Sequence, residues 1–308
     1  MKQSTIKIGT RGSQLALYQA ELTKTSLENK FPELIFEIVV IQTKGDKILD
    51  VSLSKIGDKG LFTKEIENAL LDESVDIAVH SLKDLPTTLP DGLKLGAVLE
   101  RGEFRDALVS KSGRKLYELK GNEIIATSSL RRKASLLRYN SSLNIIDIRG
   151  NVNTRLKKME EGYCDALIMA AAGLQRLELD SYITEIINPE VIIPAASQGI
   201  IAIESRDGDK RTSELLEAVN HLPTWNAGVA ERSFLRTVEG GCQVPAGCFS
   251  YLNGNIFFLT GFVASTDGTV YLLETESGPA SEPHAIGEKL ARRLLARGAG
   301  EIMDEIRK

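Results

Sequence analysis

The sequence predicts an α/β protein of two similar lobes, followed by a smaller α+β C-terminal domain with an antiparallel sheet. Three observations predict it. Strand-like and helix-like stretches alternate through the first two-thirds of the chain, which is the pattern of parallel α/β sheets. The segments IKIGTRGSQLAL and EIIATSSLRRKASLL share one plan of strand, small polar turn with arginine, and helix, as expected of equivalent elements in a repeated lobe. Beyond residue 240 the pattern changes to three strand-like runs separated by Asn253-Gly254 and Asp267-Gly268, dipeptides that favour hairpin turns.

Taken in order, Ile6-Lys7-Ile8-Gly9 reads as a strand. Ser13 caps a helix whose apolar residues Leu15, Tyr18 and Leu22 recur at helical spacing. Residues 36–41 form a second strand, 64–71 a helix and 75–80 a buried strand. Residues 123–126 are a strand, followed by a helix presenting Leu130, Ala134 and Leu137 on one face. Residues 143–148 are a strand, 153–161 a helix and 165–170 a strand. In the last third, 224–238 is helical and ends at Gly240-Gly241. A closing amphipathic helix spans 283–306. Residues 100–104 and 194–199 are the candidate linkers. A chain that crosses between lobes twice would return 200–204 to the first lobe's sheet. The division expected is domain 1 at 1–99 and 200–220, domain 2 at 104–194 and domain 3 at 221–308.

With 308 residues, 42% hydrophobic and 26% charged, the chain has an ordinary globular composition. No apolar run approaches the roughly 20 residues of a membrane span. The N-terminal residues lack the apolar core of a signal peptide. Cys164, Cys242 and Cys248 form no CxxC pair, and an odd count without an export signal predicts reduced thiols in the cytoplasm. The scattered His80, His221 and His284 predict no metal site. The net charge of −4 is unevenly spread: between 127 and 158, Arg131, Arg132, Lys133, Arg138, Arg149, Arg155, Lys157 and Lys158 face only Asp147. A basic region on an acidic chain points to a specific anionic ligand and away from nucleic acid. A solvated helix face would read the same way.

Several residues sit where chemistry is possible. Thr10-Arg11-Gly12-Ser13 and Thr127-Ser128-Ser129-Leu130-Arg131-Arg132 each fall at a strand end entering a helix. Free N–H groups, hydroxyls and guanidiniums there suit carboxylates or phosphates. Ordinary N-capping explains Ser13 and Ser128 but not the arginines. The strand VDIAVHS runs into Leu82-Lys83-Asp84-Leu85-Pro86, so Asp84 is either a charge-bearing group at the mouth of a cleft or a turn former before proline. His80 reads as structural. Cys242, in Glu239-Gly240-Gly241-Cys242-Gln243-Val244-Pro245, lies in a glycine- and proline-bounded loop where core packing is poor; it is a reactive thiol or an ordinary small residue. Cys164 and Cys248 read as structural. The glycine- and lysine-bearing stretch 42–60 is a lid or a disordered loop.

IGTRGSQLAL, TKGDKI, KGLFTKEIE, DIAVHSLKDLP, RDALVS, ATSSLRR, IRGNVNTRL, DALIMAAAGLQRL, IPAASQG and EGGCQVP occur together and in this order. In this the chain resembles the hydroxymethylbilane synthase (porphobilinogen deaminase) family over nearly its whole length. The resemblance implies two lobes like those of type II periplasmic binding proteins, with a third domain carrying the cofactor. It implies a dipyrromethane cofactor in thioether linkage to Cys242, onto which four porphobilinogen molecules condense with loss of ammonia before hydrolysis releases the linear product. By the same resemblance Asp84 is the catalytic carboxylate, stabilising the cationic azafulvene left when ammonia departs. Lys83, Ser129, Arg131 and Arg132 bind the cofactor. Arg11, Ser13, Thr127, Arg149, Arg155 and Arg176 bind substrate carboxylates, for which the guanidinium fork is suited. Lys55, Lys59 and Phe62 belong to the lid. A monomer with no metal and no nucleic-acid or membrane partner is implied. The chain departs from the family at Ser197, where glycine is usual, and at Leu222-Pro223 and Trp225-Asn226-Ala227-Gly228. A two-lobed solute-binding protein is the main rival reading, but it leaves EGGCQVP unexplained. A cysteine hydrolase would need a base that the sequence near Cys242 does not supply.

Overall fold

The computed structural model describes residues 5–47, 60–238 and 244–307. Cys242, Lys55 and Lys59 lie outside them. The chain forms two compact units, Met1–Gly102 with Ile200–Trp225, and Glu103–Gly199 with Asn226–Lys308.

The strands of the first unit that precede the crossing are β1 (Thr5–Thr10), β2 (Ile35–Val40), β3 (Ile77–Ser81) and β4 (Leu93–Val98). Those of the second lobe are β5 (Asp106–Ser110), β6 (Ile124–Ala126), β7 (Asn144–Ile146), β8 (Ala166–Ala170) and β9 (Glu185–Ile186), after which β10 (Ile201–Arg206) returns to the first unit. The first sheet runs β2-β1-β3-β10-β4, with β1, β2 and β3 parallel and β10 antiparallel to both neighbours. The second runs β7-β6-β8-β5-β9, with β6, β7 and β8 parallel and β5 antiparallel. The two orders are the same plan. In one sheet the antiparallel insert is the last strand of the lobe, in the other the first. The short echo between IKIG and EIIA is therefore real at the level of topology, because β1 and β6 occupy the same place.

Ile6, Ile8, Ile77, Val79, Ile201 and Ile203 make one face of the first core. The Gln14–Lys30 helix covers it with Ala16, Gln19, Ala20, Thr23 and Leu27. Tyr18 and Leu22, expected on the apolar stripe, are 40% and 39% exposed. Small side chains face the sheet instead, and Gln19 is tolerated there because its amide donates to Ser81 Oγ at 2.9 Å. The strand expected at 143–148 is shorter, ending at Ile146. Its chain then turns so that Ile148 N–H meets Ser128 Oγ rather than a neighbouring strand.

The rest of the second unit is a meander of β11 (Ala246–Asn253), β12 (Ile256–Ala264) and β13 (Tyr271–Pro279). Asn253 pairs with Ile256, so the two-residue turn is Gly254-Asn255, one residue beyond the expected Asn253-Gly254, with Gly254 at φ 59° in its first position. Helices Leu222–Thr237 and Pro283–Ala296 supply Ala230, Phe234, Leu290 and Leu294 to its core. The single closing helix expected over 283–306 is two helices. Gly298, at φ 98°, ends the first, and a second covers Ala299–Arg307. Among the described residues, no helix is long and apolar enough to cross a membrane.

Candidate functional site

Each unit carries a cluster of polar groups where a parallel strand runs into a helix, which is where open α/β sheets bind ligands. In the first unit, β1 ends at buried Thr10, whose hydroxyl donates to Ala16 O at 3.2 Å. Ser13 caps the following helix, its Oγ accepting from Ala16 N. Arg11, between them, points its guanidinium at Asp46, and the Phe62 ring lies 4.2 Å from Arg11 Cζ. Strand β3 runs parallel to β1 and delivers Ser81 and then a single 3₁₀ turn, Leu82–Asp84. Asp84 is exposed at the end of that turn. Arg11, Ser13, Phe62, Thr63, Ser81 and Asp84 line one pocket with Leu15, Ala16, Gln19, Val79 and His80. His80 is buried with its Nε2 3.2 Å from Glu204 Oε2 on β10, in keeping with a structural residue. Lys83 precedes Asp84 on the same turn and is half-buried.

In the second unit, β6 is followed by buried Thr127, and Ser129 caps the Leu130–Tyr139 helix by accepting from Arg132 N. The cap is Ser129, not the expected Ser128. Ser128 Oγ instead donates to Ile148 O at 2.6 Å and accepts from Ile148 N at 2.9 Å, stitching the ends of neighbouring strands. Arg131 and Arg132 are buried, and both are held by Asp106, which is 0% exposed. Asp106 accepts from Arg131 Nη1 at 2.8 Å, from Arg132 Nε and Nη2 at 3.1 and 2.7 Å, and from Gln198 Nε2 at 3.0 Å. Burial opposes the charge on Asp106, but two adjacent guanidiniums outweigh it and hold the carboxyl far below the usual range. Two guanidiniums sharing one carboxylate leave the cluster one net positive charge.

The remaining arginines predicted to bind substrate, Arg149, Arg155 and Arg176, lie at or near helix ends. Arg149 precedes Asn151, the cap of the Val152–Glu160 helix. Arg155, one turn into that helix, donates from Nε to Gly150 O at 2.8 Å. Arg176 donates from Nη2 to Gly199 O at 2.6 Å. Cys164 and Cys248 are buried, as expected of structural cysteines.

Sequence reasoning missed three carboxylates that organise these groups: Asp46, Asp106 and Glu231. Asp106 had a visible signal, since it opens the largely apolar strand DALVS and the basic stretch 127–158 has a single acid, Asp147, against eight basic residues. Glu231 is fully buried and accepts from Ser197 N at 2.6 Å and from Ser250 N and Oγ at 3.1 and 2.7 Å. In sequence it is indistinguishable from a surface helix acid.

Residues 6–214 match the family described as porphobilinogen deaminase, dipyromethane cofactor binding domain, and residues 225–296 match porphobilinogen deaminase, C-terminal domain. The chain is 50% identical over 302 residues to the porphobilinogen deaminase of Moorella thermoacetica, covering 98% of this chain and 96% of that protein. It is 47% identical over 308 residues to that of Carboxydothermus hydrogenoformans, covering 100% and 99%. Among solved structures it is similar to the alkanesulfonate-binding protein SsuA from Xanthomonas axonopodis pv. citri, at 16% identity, 78% of each chain and a TM-score of 0.40, a likeness too distant to carry an argument. The two family matches and the near-full-length identity agree with the order of motifs along the sequence: the chain belongs to the porphobilinogen deaminase family.

Proposed function

We propose that Asp84 is the catalytic carboxylate of this chain and that the basic groups at the two strand–helix junctions hold the carboxylates of substrate and cofactor. The activity is that of the family, a transferase reaction that makes hydroxymethylbilane in tetrapyrrole biosynthesis, with a dipyrromethane cofactor. The observation that carries the residue assignment is the pocket where Arg11, Ser13 and Asp84 meet. An exposed carboxylate beside a guanidinium and a helix N-terminus suits a substrate that brings carboxylates and develops positive charge on its pyrrole as ammonia leaves. Asp84 stabilises that charge and can take up the proton released when the new bond forms.

The chain also suits the cofactor, because the Asp106, Arg131 and Arg132 cluster keeps a net positive charge for an anionic group. Ser129 and Lys83 complete the cofactor set in this reading, with attachment at Cys242. When bound, the cofactor supplies the pyrrole carbon to which the first substrate is joined. Thr127, Arg149, Arg155 and Arg176 bind substrate carboxylates alongside Arg11 and Ser13, and Phe62, Lys55 and Lys59 are the lid residues of this reading. The three separate sheets support a three-domain reading, 1–99 with 200–220, 104–194 and 221–308. A cytoplasmic monomer that uses porphobilinogen and binds neither nucleic acid nor membrane completes the proposal.

Two measurements test it. The intact mass of the denatured protein should exceed the sequence mass by two pyrrole units, resist thiol reductants, and map to Cys242. Asp84→Asn should lower turnover by roughly 10²-fold or more, the scale of a lost electrostatic stabiliser, while leaving that mass unchanged. Turnover within threefold of the unsubstituted enzyme would remove Asp84 from the role.

A further inference from the structure

We propose that Asp46 is a positioning residue for substrate recognition, holding the Arg11 guanidinium so that only its outer edge is offered to a substrate carboxylate. The inference rests on the reading of Arg11 as a substrate ligand. A guanidinium is a planar fork of five N–H donors and can swing through many rotamers when unrestrained. In this chain Arg11 is held in two directions. Asp46 takes one edge, with Oδ1 and Oδ2 3.2 and 3.3 Å from Nε and Oδ1 also bonded to Nη2. The Phe62 ring takes one face, 4.2 Å from Cζ, a cation–π contact. Nη1 takes no part in the Asp46 bonds, and the side chain keeps 25% of its exposure, so the outer edge remains available in the pocket that Asp84 lines.

Asp46 is itself fixed. Thr43 Oγ1 donates to Oδ2 at 2.7 Å and Thr43 N–H to the same oxygen at 3.4 Å. Partial burial works against its charge, but the bonds from Arg11 and Thr43 and the charge of Arg11 prevail and keep the carboxyl below its ordinary range. The helical turn Lys44–Lys47 that carries Asp46 is pinned by Gly45 N–H to Leu61 O at 2.9 Å. It also lies against Phe62 so closely that a Cβ on Gly45 would be 2.2 Å from the ring. One compact arrangement therefore sets both restraints on Arg11: the carboxylate at its edge and the ring on its face.

Ordering of this kind acts on binding. A pre-oriented guanidinium loses less freedom when it meets a carboxylate. The test is a double-mutant cycle on the holoenzyme with porphobilinogen, using Asp46→Asn, Arg11→Leu and the double variant. Asp46→Asn should raise KM about tenfold and leave kcat within threefold, with the cofactor mass unchanged. Arg11→Leu should raise KM by at least as much. The double variant should be no worse than Arg11→Leu alone, because Asp46 acts only through Arg11. Asp46 is one-quarter exposed, so its substitution leaves the core intact. A KM for Asp46→Asn that is unchanged or lower overturns the inference while the role of Arg11 stands. Additive effects in the double variant overturn it too, since Asp46 would then act by another route. An unchanged KM for Arg11→Leu removes the role of Arg11 and the inference with it.

Discussion

Asp106→Asn should cost this chain a large share of its stability. The carboxylate is completely buried and accepts four N–H groups, three of them from guanidiniums, at 2.7 to 3.1 Å. Asparagine keeps the shape but offers one acceptor oxygen in place of two, and turns an amide N–H₂ toward donors. Two buried guanidiniums are then left without a counter-ion. Breaking a buried pair by removing one partner costs about 3–5 kcal/mol, against a total of roughly 5–15 kcal/mol for a native protein. Equilibrium urea denaturation followed by circular dichroism measures the loss. Replacing Arg132 with glutamine in the same variant should recover part of it, because one orphaned charge is removed. The pH dependence has a definite sign. The folded carboxyl titrates below its unfolded value, so its contribution is complete above about pH 4 and is lost as the pH falls from there toward the folded value. The substituted protein should lack that part of the acid sensitivity. A loss below about 1 kcal/mol, the scale of a screened surface pair, would refute the view that Asp106 neutralises buried charge.

Three further outcomes follow from local geometry. Ser197 adopts φ 65°, a conformation that costs a side-chain-bearing residue about 1–2 kcal/mol. Ser197→Gly should therefore gain about 0.5–1 kcal/mol after the added freedom of the unfolded chain is counted; a loss in urea denaturation would show that the hydroxyl matters more than the backbone. Burial, aided by the nearby Asp165 carboxylate, pushes the Cys164 thiol up to about 11, and Cys248 is equally enclosed. Native alkylation at pH 8 should leave both unmodified until the chain is denatured, and rapid labelling of either by peptide mapping would contradict their burial. Arg149→Leu and Arg155→Leu should each weaken carboxylate binding by about 1.5–3 kcal/mol per charged hydrogen bond, with Arg155→Leu also loosening the turn at Gly150 that its Nε holds. Native mass spectrometry with porphobilinogen would reveal the change, and an unaltered ladder of enzyme–intermediate complexes would exclude the role.

Strand and helix identity was legible in the sequence wherever local pattern and tertiary environment agree. IAVH and ALIM are buried on both faces because helices cover both, while IKIG alternates buried isoleucines with exposed Lys7. The hairpin was legible to within one residue, because Gly254 tolerates the positive φ that the turn requires. The helix at 14–30 shows where pattern misleads: its larger apolar residues Tyr18 and Leu22 face outward, while alanines and a hydrogen-bonded glutamine face the sheet. Which stripe is buried depends on how closely the helix can approach the strands, a quantity absent from spacing.

By itself the sequence determined the α/β class, the repeated strand-to-helix junctions and, through ten motifs in order, the family. It also marked the basic residues as a group, because eight basic side chains, five of them guanidiniums, stand out in one stretch. The tertiary structure alone decided which acids meet the buried and half-buried donors, Arg11, Arg131 and the Ser197 N–H among them. Asp46 lies 35 residues from Arg11, Asp106 lies 25 from Arg131, and Glu231 lies 34 from Ser197. Charge pairing acts through space over a few ångströms, and in a folded chain those few ångströms join positions that no local sequence pattern connects.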